Sequence, residues 1–217
     1  SNFIGNIFSH ELGHALGLAH SGVVSSTMYP YLTKGQHNFE EDDLSLLRKY
    51  FGSKDPTYSG SISGKVLPTI SGAGLFGATI DLIPLKAPYK IVSTFTEFDG
   101  SFHFFNVDKS KKYLIRVKPS FYDREFPPYL GFGRFDLCPS GLKFVPFLVN
   151  TNCDEKSFSN PYLIDFSHSD NIDLEEIGLR CVDHSNESFL DSLSTEDNFE
   201  FISLVPALNE YGFWAEQ

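Results

Sequence analysis

The chain has 217 residues, 41% of them hydrophobic and 15% aromatic, which is enough to bury more than one core. Its formal net charge of −11, without any run of Lys or Arg, argues against nucleic acid and against an anionic membrane surface as partners. No stretch is long and apolar enough to span a bilayer, and the absence of a visible signal peptide decides nothing about compartment.

The first predicted element is a helix carrying His10-Glu11-Leu12-Gly13-His14. Residues i and i+4 of a helix share a face, so His10 and His14 present two imidazoles to one point. Glu11 projects toward the same cleft. Gly17 accepts a positive φ at little steric cost, which lets the helix stop and returns His20 as a third ligand. The whole run from His10 to His20 reads HExxHxxGxxH and resembles the zinc-binding signature of the metzincin metalloproteases.

That resemblance implies Zn2+ held by His10, His14 and His20. Zinc on three protein ligands keeps a position open for water, whose pKa falls from about 15.7 to roughly 7. Glu11 is then the expected general base, taking the proton of that water and passing it to the leaving amine.

Ser25-Ser26-Thr27-Met28-Tyr29-Pro30 resembles the Met-turn of the same clan, with Met28, the chain's single methionine, beneath the ligands. His20-Ser21 followed by Met28-Tyr29-Pro30 is similar to the matrixin family. In related families a tyrosine two residues after the Met reaches the zinc. Pro30 stands there in this chain, so no tyrosine ligand is expected. The resemblance makes Tyr29, Pro30 and Tyr31 the wall of a substrate side-chain pocket.

A second helix is predicted over 39–52. Its acidic start and its Arg48-Lys49 end suit the helix dipole. Leu44, Leu47 and Phe51 form an apolar stripe, and Gly52 is a C-terminal cap. Matrixin catalytic domains end in such a helix, in which one Asp of a pair braces the Met-turn. Asp42 or Asp43 fills that role here, or both simply solvate the helix start. In matrixins an upstream sheet packs on the active-site helix. The resemblance begins at that helix, so Phe3, Ile4, Ile7 and Phe8 form an apolar face without an evident partner, and the chain reads as part of a larger protease.

Beyond the linker 53–57, alternation replaces helical periodicity. Strands are predicted at 61–67, 77–84, 92–96, 101–105 and 113–117. Asp99-Gly100 signals a hairpin between the third and fourth. This order resembles the carboxypeptidase regulatory-like, transthyretin-like β-domain over 58–118. Such domains share no catalytic residues. The stretch from Phe121 to Phe147 reads as a long decorated loop, and 172–179 as a returning strand. The aromatic surplus suits core filling better than sugar binding. Cys138, Cys153 and Cys181 lack zinc-knuckle spacing. A disulfide, with Cys138–Cys153 nearest in sequence, and buried reduced thiols both remain open.

The expected fold is α+β, a helical lower subdomain of a metzincin catalytic domain followed by an all-β antiparallel sandwich. The expected domains are 1–52, 58–183 and an acidic tail, 184–217, with one possible strand at 199–205. The expected function is that of a secreted or cell-envelope zinc endopeptidase acting on a protein or peptide substrate. Its alternative is an inactive fragment whose sandwich mediates adhesion to a surface or matrix partner.

Overall fold

The computed structural model describes residues 3–23, 25–31, 36, 38–68, 74–86, 90–118, 142–144, 147–149, 161–179 and 181–183. Cys138, Cys153, most of the expected loop 121–147 and the tail 184–217 lie outside these residues. Among the described residues, two helices, α1 (Phe3–Ala15) and α2 (Glu41–Phe51), precede nine strands, giving an α+β arrangement with mixed sheets. The strands are β1 (Tyr58–Leu67), β2 (Thr79–Pro84), β3 (Val92–Phe95), β4 (Ser101–Asp108), β5 (Tyr113–Lys118), β6 (Leu142–Phe144), β7 (Phe147–Leu148), β8 (Asn171–Gly178) and β9 (Cys181–Asp183). No helix among the described residues is long and apolar enough to cross a membrane.

The strands form a three-stranded sheet ordered β4-β1-β8, a four-stranded sheet ordered β3-β2-β5-β7, and the pair β6-β9. Alternation in the sequence becomes alternation in space. Ile62, Val66, Phe102 and Phe104 of the first sheet share one buried cluster with Ile80, Leu82, Ile115 and Val117 of the second. Gly64 makes room for this cluster. A Cβ there would lie 2.8 Å from the Phe102 ring.

Two expectations about the strands need correction. The 171–178 strand returns as expected, but β8 pairs with β1 in parallel, so the sheets are not wholly antiparallel. Parallel neighbours need a long connection of about a dozen residues or more, and β1 and β8 are separated by all of β2–β7. Hydrophobic alternation reports which face is buried but not which way a strand runs. The expected β3–β4 hairpin is also absent. The Asp99-Gly100 turn forms, with Gly100 at φ 84° and its N–H on the Glu97 carbonyl at 2.9 Å. The strands it joins then part, β3 pairing with β2 and β4 with β1. Turn chemistry is local, whereas strand pairing is chosen by the larger partner surface.

The Ser21–Val23 segment packs on the outer face of the four-stranded sheet, and α2 lies against β3 and β4. Every residue of β2 is buried, although only Ile80 and Leu82 face the shared core. The opposite face, with Thr79, Asp81 and Ile83, is covered by the Ser21–Val23 segment. Gly22 lies against Thr79, and Val23 packs on the cluster of Ile83, Ile91 and Leu114. Along the side, the Arg48 guanidinium sits 4.1 Å from the Tyr58 ring centroid, Lys49 lies over Phe105, and Lys90 pairs with Glu40.

The apolar stripe expected on α2 is not what anchors that helix. Leu44, Tyr50 and Phe51 are exposed, and the helix's buried side chains are Asp42 and Asp43. α2 is fastened through its polar first turn. The apolar face of α1 is likewise open, with Ile4 82% and Phe8 68% exposed.

Candidate metal centre

His10, Glu11 and His14 lie on α1, one turn apart for the two imidazoles. The helix ends at Ala15, and Gly17 takes φ 90°. The chain then doubles back so that His20 meets the other two rings. The ring centroids are 4.8 Å (His10–His14), 5.4 Å (His10–His20) and 4.9 Å (His14–His20) apart. One nitrogen from each ring lies within 4.8 Å of the others.

The backbone sets the tautomer of two of these histidines. His10 Nδ1 donates to the Thr27 carbonyl at 2.7 Å, and His14 Nδ1 donates to the Leu18 carbonyl at 2.9 Å. A carbonyl only accepts, so the proton sits on Nδ1 and each Nε2 keeps its lone pair. Metal-binding histidines are oriented in the same way, through a carbonyl or carboxylate on the other ring nitrogen. Burial, then the neighbouring His14 and His10, hold the His20 imidazole below its ordinary 6.5, while the nearby Glu11 charge opposes this. Three imidazoles facing one point form a donor set suited to zinc.

Met28 is fully buried against the histidine-bearing helix. Its seat is Gly13, where a Cβ would stand 2.1 Å from Met28 Sδ. No side chain fits between the helix and the methionine, so the glycine inside the motif is there for close approach rather than for a turn. Gly13 escapes a reading that weighs only ligands and turns.

The Met28 turn hangs on Asp43. Its carboxylate accepts from the Ser26 hydroxyl at 2.5 Å, the Thr27 N–H at 3.0 Å, the Met28 N–H at 3.1 Å and the Glu40 N–H at 2.8 Å. Of the two aspartates left open by the sequence, Asp43 makes this brace. Asp42 points elsewhere, accepting from the Ser93 N–H of β3 at 2.5 Å. Burial pushes the Asp42 carboxyl up to about 7, against the Ser21 hydroxyl and the Ser93 N–H, with the Asp43 and Asp81 charges adding to the rise.

Tyr29 and Pro30 are half-buried, and Tyr31 is exposed. The two phenol rings are 5.7 Å apart, and burial, then Tyr31, raises the Tyr29 phenol above its ordinary 10.0. The residues that follow, 32–35, lie outside the described set.

With this geometry in place, comparison with known proteins is informative over one stretch. Residues 3–52 match the matrixin family, Peptidase_M10. The chain is 37% identical over 60 residues to matrix metalloproteinase-2 of Drosophila melanogaster, covering 27% of this chain and 8% of that protein. It is 42% identical over 53 residues to matrilysin of Rattus norvegicus, covering 23% of this chain and 20% of that protein. The chain therefore spans only a small part of the length of the curated relatives it matches. Matrixins are zinc metalloproteases, and the histidine triad lies inside the matched stretch. Among solved structures, a group B streptococcus pilus 2b backbone protein aligns at a TM-score of 0.28 with 11% identity, over 56% of this chain and 40% of that one. That value is too low to infer a shared fold.

Proposed function

We propose that this chain carries the zinc site of a secreted or cell-envelope metalloendopeptidase. The observation that carries the reading is the convergence of His10, His14 and His20, with the Nδ1 atoms of His10 and His14 already occupied by backbone carbonyls. In this reading His10, His14 and His20 would hold zinc, which would supply Lewis acidity and an activated water when bound. Glu11, exposed and electrostatically coupled to His20, accepts a proton from the attacking water and delivers it to the leaving amine. Met28 and Gly13 set the floor under the ligands, Gly17 makes the turn, and Asp43 holds the Met28 turn. Tyr29, Pro30 and Tyr31 line the pocket for a substrate side chain, and the substrate is a protein or peptide.

Residues 58–183 are read as a β-sandwich of the carboxypeptidase regulatory-like type, appended to the segment 1–52. The shared core of the two sheets supports that reading. A second reading is favoured by the open apolar face of α1. On that reading this chain binds zinc without cleaving peptides, and its β region contacts a surface or matrix partner.

A quenched-peptide library assayed with zinc, beside Glu11→Ala and His14→Ala, separates the two. The protease reading expects cleavage by the parent chain, lost by about 10²-fold or more in Glu11→Ala with zinc content retained. Equal background rates in all three, with zinc bound only where His14 is present, would support the non-cleaving reading.

A further inference from the structure

We propose that Ser93, in strand β3, is a positioning residue for the metal centre, holding the loop that carries His20 in its liganding conformation. The proposal rests on the reading of the histidine triad as a zinc site and assigns part of that site to the β region. His10 and His14 sit on a helix, and each ring is aimed by a carbonyl of the same segment. His20 lies beyond the end of α1, so its place depends on where the following residues are tied.

Those ties are successive. The Ser21 N–H donates to the Met28 carbonyl at 2.9 Å, the Gly22 N–H donates to Ser93 Oγ at 3.2 Å, and the Val23 N–H donates to Ser21 Oγ at 2.9 Å. The Ser21 and Ser93 hydroxyls are 3.5 Å apart. Ser93 is itself fixed, because its N–H donates to Asp42 of α2 at 2.5 Å and its strand is paired to β2. Ser93 thus joins three elements at one buried point: the His20 loop, the first turn of α2 and the second sheet.

Packing reinforces the hydrogen bonds. A Cβ at Gly22 would stand 2.8 Å from Thr79 Cγ2 and 3.5 Å from Ser93 Oγ, so the loop backbone lies directly on β2 and β3. Groups that orient ligands from outside the metal's own coordination shell typically change metal affinity about 10–100-fold when lost. Since the His20 loop and the sheet share these bonds, coupling runs both ways. A metal that fixes the loop also stabilises the sheet.

The test uses the full 217-residue chain. Zinc affinity is measured by chelator competition, and the ligand geometry by the visible absorption of the Co2+-substituted protein. Ser93→Ala is expected to weaken zinc binding about tenfold and to alter the cobalt band. Ser93→Thr, which keeps the hydroxyl acceptor, is expected to restore both. Gly22→Ala tests the same contact through packing. It weakens binding alone, and Thr79→Ser in the same chain, which deletes the obstructing methyl, recovers it. Ser59→Ala, at an exposed serine of β1, leaves affinity and spectrum unchanged. Parent-like affinity and spectrum in both Ser93→Ala and Gly22→Ala would overturn the proposal while leaving the zinc site standing. A parent chain that binds zinc no better than His14→Ala would overturn the zinc reading and, with it, this proposal.

Discussion

Among the described residues, the side chains buried in 3–52 are mostly polar: Asn6, Ser21, Ser26, Thr27, Gln36, Asp42 and Asp43, with Leu18 and Met28 as apolar members. In the two-sheet region the main buried cluster is Ile62, Val66, Ile80, Leu82, Phe102, Ile115 and Val117 and their neighbours. The sheets are held by removal of apolar surface from water, which is non-directional. The histidine segment is held by carboxylates accepting from several donors at fixed angles. The first kind of scaffold makes a stable body, and the second fixes atoms in place. The histidine triad uses the second kind, and it is built against the first.

The largest effect expected from this comparison lies in the apolar core. Phe102→Ala should cost about 3–5 kcal/mol, read as a lowered denaturant midpoint. Because the His20 loop and α2 are tied to both sheets, the transition should take the histidine segment with it. Retained metal binding after the sheets have melted would break the comparison. Asp43→Ala comes next. It strands four donors, the Ser26 hydroxyl and the Thr27, Met28 and Glu40 N–H groups, at a cost of about 3 kcal/mol. Metal affinity should fall with stability, whereas in Phe102→Ala under folding conditions it should not.

A further effect is a pH dependence. Asp42 rises from its ordinary 3.8 to about 7 in the folded chain, so between those values the folded state binds the proton and the unfolded state does not. Stability from this group is complete below about pH 4 and declines as pH rises through about 7. Asp81 faces the same junction, bound to Arg116 and Lys118. Thermal melts at pH 4.5 and 7.5 should therefore show Asp42→Asn losing less stability than the parent on going to the higher pH. An identical pH response in both chains would remove Asp42 from the account of the junction.

Much of the site was legible because its signals are local. A helix with histidines one turn apart, a glycine where the chain must reverse, and a methionine in a turn all depend on neighbours within a few residues. Gly17 at φ 90° and Gly52 at φ 76° stand where the sequence asked for positive φ. The choice between Asp42 and Asp43 was not legible, since adjacent carboxylates on one helix turn differ only in which partner each meets. Gly13 was hidden for a related reason, because its role is the space it leaves for Met28.

By itself, the sequence determined the histidines and their spacing, the burial alternation of the strands and the turns between them. Each of these follows from backbone period and from which φ a residue tolerates. Only the tertiary structure decided that β8 runs parallel to β1, that β3 and β4 part into different sheets, and that Ser93, over seventy residues from Gly22, reaches its N–H. These are contacts between distant segments. They are selected by the total surface and hydrogen bonds of the assembled chain, and no short window of residues encodes them.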